Sequence, residues 1–287
     1  MRVGLHALGI GTGADPDVIR QVAQHAESAG FSTLWCGEHV VMVERPDSPY
    51  PYADDKKIAV AADADWLDPL MTLSFAAACT SSIRLATGIL LLPQHNPLVI
   101  AKQAASLDVL ARGRFVLGVG IGWSKEEYAA LGVSFSDRAR RNHEFVEAIR
   151  ALWRDDVSSY AGDFVAFSEV RSYPKPLHDR QLPIVLGGNS DAALARVADY
   201  ADGWYGFNLG VADVAERVAT LSSLCAERGR DAASVSISVS LRDGSPDDVG
   251  ALESLPVDEV VVVEAPPEHP DDVAGWIAAL APHWRVG

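Results

Sequence analysis

The chain has 287 residues, 48% of them apolar, which is enough for a large core in one big α/β unit or two small ones. Its formal net charge of −15 argues against nucleic acid or an anionic membrane as a partner. An anionic ligand would therefore need a local site of backbone N–H groups or arginines.

Short β-rich runs alternate with longer amphipathic ones. Val3–Leu8 reads as a strand. Gly9-Ile10-Gly11-Thr12-Gly13 follows it without the spacing of a dinucleotide-binding turn and reads as a flexible loop. Asp15 is a natural N-cap for a helix over Pro16–Ala29, with Gly30 just past its end. Ser32–Cys36 is a second strand, and it runs into Gly37-Glu38-His39. A carboxylate and an imidazole side by side there would be costly unless water, a partner or a ligand meets them. Val43–Asp65 carries Pro46, Pro49, Pro51, Tyr50 and Tyr52, and reads either as an ordinary surface loop or as a lid.

Trp66–Thr80 is predicted helical and Ile83–Leu92 a third strand. Asn96-Pro97 opens a helix that stops at Gly113, and Phe115–Ile121 is a fourth strand. Ser136–Trp153 is helical, and Ser158–Pro176 is a short hairpin or irregular insertion. Strands over Pro183–Leu186, Trp204–Phe207, Val235–Leu241 and Glu259–Val263 then alternate with helices over Ser190–Tyr200, Val211–Glu227 and Pro270–Leu280. Eight strands, several of them near-continuous apolar runs such as Val260–Val263, predict an α/β fold: a (β/α)8 TIM barrel over residues 1–287, with insertions after strand two and before strand five. Cys36, Cys79 and Cys225 match no paired spacing and read as buried small hydrophobes in a reducing cytosol. No leader-like segment opens the sequence and no apolar stretch approaches a membrane span, so a soluble cytoplasmic protein is expected.

In a barrel the chemistry sits at the C-terminal strand ends. Strand two offers Glu38-His39, and strand three carries Thr87-Gly88-Ile89, where Gly88 suggests a bulge. Strand four runs through Gly118, Gly120 and Gly122 into Trp123. Glycines at that period need either a flat ligand against the backbone or dense packing inside the barrel. Gly187-Gly188-Asn189 directly before a helix is either a phosphate cradle or a tight turn. The five lysines, Lys56, Lys57, Lys102, Lys125 and Lys175, avoid apolar strand ends, which argues against a Schiff-base aldolase. Strand one offers a single histidine, His6, which argues against a metal-dependent hydrolase.

Ala105–Phe115 followed by Gly118–Trp123 and Glu126-Glu127-Tyr128 resembles the luciferase-like monooxygenase superfamily, as do Leu182–Gly188 and Ala201–Trp204. Within it the chain looks most like the branch that uses the deazaflavin coenzyme F-420. The resemblance implies a flavin or deazaflavin at the barrel mouth, a non-prolyl cis peptide at Gly88-Ile89 backing its central ring, and Gly187-Gly188-Asn189 on its phosphate side. It also implies hydride transfer at C5 of the deazaflavin, with His39 exchanging a proton or steadying charge, Glu38 orienting His39, and a homodimeric assembly. Thr87, Gly120, Gly122 and Trp123 join the expected cofactor contacts, and no metal is expected. The sugar-phosphate dehydrogenases of the superfamily place an acid where this chain has Trp123 and a tryptophan where it has Val40-Val41-Met42, which argues against glucose 6-phosphate. Trp123, Tyr50 and Tyr52 suggest a flatter, less polar pocket for a small-molecule substrate. The alternatives on the same fold are an FMN-dependent two-component monooxygenase and a non-catalytic cofactor-binding protein.

Overall fold

The apolar runs pair in parallel, since each is covered outside by helices and filled inside by its own side chains. A computed structural model describes residues 1–242 and 244–286. In chain order the strands are β1 (Arg2–Leu8), β2 (Thr33–Cys36), β3 (Arg84–Thr87), β4 (Phe115–Val119), β5 (Ser158–Ala161), β6 (Ala166–Val170), β7 (Ile184–Gly187), β8 (Gly203–Leu209), β9 (Ser236–Leu241) and β10 (Glu259–Val263). β5 and β6 form an antiparallel hairpin apart from the rest, while the other eight close a parallel barrel in which β10 returns to β1. The insertion before the fifth barrel strand is thus the hairpin.

Inside the barrel, Trp35, Ala86, Val116, Val185, Tyr205 and Val261 form one layer, with Trp35 stacked on Tyr205 at 4.6 Å. Beneath it lies the carboxylate of Glu259, buried yet fully occupied. It accepts from Ser32 Oγ at 2.5 Å, Thr33 Oγ1 at 2.7 Å, Ser238 Oγ at 3.1 Å and Trp35 Nε1 at 3.2 Å. Four donors are what makes an interior carboxylate tolerable.

The helices that build the outer wall are α1 (Pro16–Ala29), α2 (Pro69–Cys79), α3 (Pro97–Leu110), α4 (Lys125–Ala130), α5 (Arg138–Arg154), α6 (Asp191–Tyr200), α7 (Val211–Glu227), α8 (Pro246–Leu252) and α9 (Val273–His283). α1 begins and ends as the caps predict: Asp15 accepts from the N–H groups of Asp17 and Val18, and Gly30 takes the left-handed conformation at φ 93°. The stretch after β1 is not a flexible loop: Gly11–Ala14 makes one 3-10 turn, and Gly13 packs where a Cβ would strike the Ala7 carbonyl. α2 starts three residues later than the sequence suggests, at a Pro69 capped by Asp68, because Trp66 bridges to Ile10 instead. α4 and α8 are helices that the sequence reading omitted. Cys36 and Cys225 are buried, whereas Cys79 is only partly so. No helix among the described residues is long and apolar enough to cross a membrane.

β3 is shorter than predicted. It stops at Thr87, the Gly88–Ile89 peptide is cis, Leu90 touches β4 through one bridge to Val119, and Leu92–Gln94 turns as a 3-10 helix. The strand-four glycines answer to this excursion. A Cβ on Gly118 would strike the carbonyl of Thr87, and one on Gly120 would strike Cδ1 of Ile89. Dense packing, and not a ligand, explains both.

Gly118→Ala should therefore destabilise the protein by about 1–3 kcal/mol or more in urea unfolding, the ordinary cost of overpacking. Gly275→Ala, in α9 with no heavy atom within 4 Å of the new methyl, should instead stabilise by about 0.5–1 kcal/mol. Equal midpoint shifts for the two variants would contradict this packing.

Candidate active site

The C-terminal ends of the barrel strands and the segment 43–65 enclose a cavity of about 1080 Å³. The segment has no regular secondary structure, but it is tied down at several points. Asn208 Nδ2 donates to the Tyr52 carbonyl at 2.6 Å, and Glu126 Oε1 accepts from the N–H groups of Asp47 and Ser48 at 3.2 and 3.1 Å. Tyr50 and Tyr52 thus form a roof, and the strand ends form the floor.

His39, Gly88, Ile89, Gly122, Trp123, Gly187, Gly188 and Asn189 all border the cavity, as does Glu38. Thr87 and Gly120 do not. Thr87 is fully buried and spends its hydroxyl on the Gly118 carbonyl at 2.6 Å, while Gly120 lies beneath Ile89. Asn189 borders the cavity, but its amide is committed: Nδ2 donates to the Phe207 carbonyl at 2.7 Å and Oδ1 accepts from the Phe207 N–H at 3.1 Å.

The adjacent Glu38 and His39 do not serve each other. Glu38 turns away and accepts from the Leu91 N–H at 2.6 Å and from His95 Nε2 at 3.0 Å. It therefore anchors the backbone after the cis peptide and does not orient His39, contrary to expectation. Burial weighs against charge on His95, but the hydrogen bond to Glu38 and the carboxylates of Glu38, Asp68 and Glu127 outweigh it and raise its pKa.

His39 is oriented by Glu127 of α4. Glu127 Oε2 lies 3.0 Å from His39 Nδ1, and Oε1 accepts from the Val40 N–H at 2.9 Å. A carboxylate oxygen accepts, so this contact has Nδ1 as the donor and leaves Nε2 without a protein partner among the described residues. The ring is packed edge-on against Trp66 at 4.8 Å and Trp123 at 5.9 Å. Glu127 lay inside a motif that the sequence reading quoted but assigned no role.

Arg138 and Arg196 also border the cavity, close to each other, and burial lowers the pKa of both. Neither forms an ion pair among the described residues; Arg138 donates to the Phe135 carbonyl at 3.0 Å and stacks on the Phe135 ring at 3.7 Å, while its Nε is buried without a partner. Ser190, Ala193 and Arg196 place the start of α6 at the same cavity, with Ser190 capping Ala193. Two guanidinium groups that face no carboxylate among the described residues, beside a helix N-terminus, suit an anionic group. The sequence reading anticipated such arginines in kind but did not identify them, since residues 138 and 196 are far apart in the chain and meet only in the fold.

His6 of β1 borders the floor, its Nδ1 3.2 Å from the hydroxyl of Tyr205, and burial pushes its pKa down to about 4. Below pH 6.5 the unfolded chain protonates this histidine while the folded chain refuses the proton until about pH 4, so stability falls across that window as pH falls, by about 3 kcal/mol in full. In urea titrations at about pH 7.5 and about pH 5, His6→Asn should lose about 2 kcal/mol less than the parent between the two conditions. The same pH dependence in both proteins would remove His6 as its source.

A sequence profile described as luciferase-like monooxygenase matches residues 3–242. An uncharacterised protein of Mycobacterium tuberculosis is 34% identical over 260 residues, covering 90% of this chain and 91% of the relative. The FMNH2-dependent dimethylsulfone monooxygenase of Pseudomonas putida is 33% identical over 198 residues, 68% of this chain and 49% of that protein. Among solved structures, the fold is shared with the monooxygenase RslO1 from Streptomyces bottropensis at a TM-score of 0.76 and 20% identity, over 99% of this chain and 98% of that one. It is shared equally with the coenzyme F420-dependent tetrahydromethanopterin reductase of Methanopyrus kandleri, at a TM-score of 0.74 and 16% identity over 99% of each chain.

Proposed function

The chain belongs to the luciferase-like monooxygenase family, and from that premise we propose that it is an F-420-dependent oxidoreductase acting on a small organic substrate. The observation that carries this reading is the pair Arg138 and Arg196, neither facing a carboxylate among the described residues, on the same cavity as a histidine held by a buried carboxylate. Lys57 and Lys125 border the same cavity, so four cations line it against two carboxylates, Glu38 and Glu264, in a chain whose net charge is −15. That surplus suits a cofactor tail carrying a phosphodiester and carboxylates better than one carrying a single phosphate. The second reading, an FMN-dependent monooxygenase, is supported by the similarity to the dimethylsulfone enzyme.

The deazaflavin would supply a hydride-accepting carbon at C5. Arg138, Arg196 and the start of α6 would hold its anionic part, and the backbone of Gly88–Ile89 and Gly187–Gly188 would lie against its ring. His39 would take or return a proton at Nε2 while Glu127 fixes its tautomer and angle. Tyr50, Tyr52 and Trp123 would keep water out.

Titrating the protein with F-420 and with FMN should give at least about tenfold tighter binding of F-420, which Arg196→Ala should weaken by about tenfold. Tighter FMN binding would overturn the first reading in favour of the second. With a substrate in hand, Glu127→Gln should lower turnover about 10- to 100-fold and shift its pH profile while leaving cofactor affinity within about twofold. His39→Ala with unchanged turnover would remove the histidine from the mechanism.

A further inference from the structure

Two imidazoles border the cavity, and the chemistry above uses only that of His39. The other, His6, is paired with Tyr205 in a barrel layer otherwise filled by Trp35, Ala86, Val116, Val185 and Val261. A phenol and an imidazole at such a depth have to satisfy each other.

The pairing runs in one direction. Burial raises the Tyr205 pKa and a hydrogen bond from Ser240 only tempers it, so the phenol keeps its proton. Ser240 Oγ itself accepts from the Asn208 N–H at 2.8 Å, which leaves its hydroxyl proton for Tyr205. Tyr205 in turn donates to His6 Nδ1 at 3.2 Å. Burial holds the His6 pKa at about 4, so the ring is uncharged at neutral pH. An uncharged imidazole that accepts at one nitrogen carries its proton on the other, here Nε2.

Nε2 has no partner among the described residues, yet it is not sealed over as Trp123 Nε1 is. Gly37 keeps the space beside it. The backbone of Gly37 is not left-handed, so nothing local demands a glycine there. A Cβ on Gly37 would lie 3.3 Å from His6 Nε2 and 3.2 Å from the Gly88 carbonyl oxygen. His6 Cε1 packs on Gly88 as well, 3.4 Å from where a Cβ would stand. All three residues border the cavity, so the Nε2–H opens beside the backbone on which the cofactor ring is placed.

Resting on that placement, we propose that His6 is a fixed, uncharged hydrogen-bond donor to a carbonyl oxygen of the cofactor's ring. His39 spends its Nδ1–H on Glu127, so in its uncharged form its Nε2 accepts where that of His6 donates. The two rings thus offer the cavity opposite hydrogen-bonding edges. An uncharged donor suits a carbonyl, and the anionic tail is left to Arg138 and Arg196.

Histidine-selective 15N labelling reads the tautomer directly at about pH 7.5, above the ordinary histidine pKa. The His6 ring, recognised by its loss in His6→Asn, should show a protonated Nε2 and a bare Nδ1, and its Nε2 signal should move on saturation with cofactor. His6→Asn keeps an acceptor for Tyr205 and loses the cavity-side donor, so F-420 should bind about tenfold more weakly. His6→Gln extends an amide N–H toward the vacated Nε2 position and should recover affinity to within about threefold of the parent. FMN carries the same ring carbonyls, so His6→Asn should weaken it alike and leave the F-420-to-FMN ratio within about twofold. A protonated Nδ1, an Nε2 signal indifferent to both cofactors, or equal losses in His6→Asn and His6→Gln would each overturn the assignment. The F-420 reading falls separately, on a ratio that favours FMN in the parent protein.

Discussion

The site depends on where Ile89 sits. Its side chain occupies the space beside Gly120 and Gly187, two positions at which a Cβ would collide with it or press on it. Gly118 yields in the same way to the carbonyl of Thr87. β3 can leave the barrel at Gly88 only because β4 and β7 lack side chains there, and the excursion supplies part of the cavity floor. Close packing of this sort leaves little room for compromise. The glycines shape the cavity one layer below its surface.

Two carboxylate–histidine pairs then share the work that one pair was expected to do. Glu38, though next to His39 in sequence, reaches back to Leu91 and His95 and fastens the chain after the bulge. Glu127 comes from beyond β4 and takes His39. In an extended chain, neighbouring side chains point to opposite sides, so adjacent residues at a strand end are poorly placed to bond each other. Each carboxylate also accepts a backbone N–H, from Leu91 in one case and Val40 in the other, so neither is left with an idle oxygen.

Most of the architecture was legible because it is periodic. Eight apolar runs, the Asp15 and Gly30 caps and the hairpin before β7 all follow from local patterns that a single sequence carries. The departures are local and have physical causes. β3 read too long because Leu90, Leu91 and Leu92 remain apolar after the strand has ended. α4 spans six residues, too few for a periodic signal, although Ser124 and Glu127 outline its cap. Of the site, the residues at strand ends were readable from topology, while Thr87 and Gly120 were not separable from their neighbours until depth was known. Arg138 and Arg196 could not be found at all without tertiary structure, because nothing local distinguishes them from other helix arginines.

α4 is the element that joins these parts. Consecutive carboxylates on its first turn reach in two directions: Glu126 holds the N–H groups of Asp47 and Ser48, and Glu127 holds His39 and Val40. Ser48 returns the contact, accepting from the Lys125 N–H at 3.1 Å. The start of the roof and the imidazole are therefore fixed to the same short helix, one through each glutamate. A movement of the 43–65 segment that broke the Glu126 contacts would pull on the residue next to the one orienting His39. The roof segment and the histidine are thus tied to one six-residue helix that begins two residues after Trp123. Acidic residues in the first turn are favoured there by the helix dipole in any case. The fold has put that local preference to use twice.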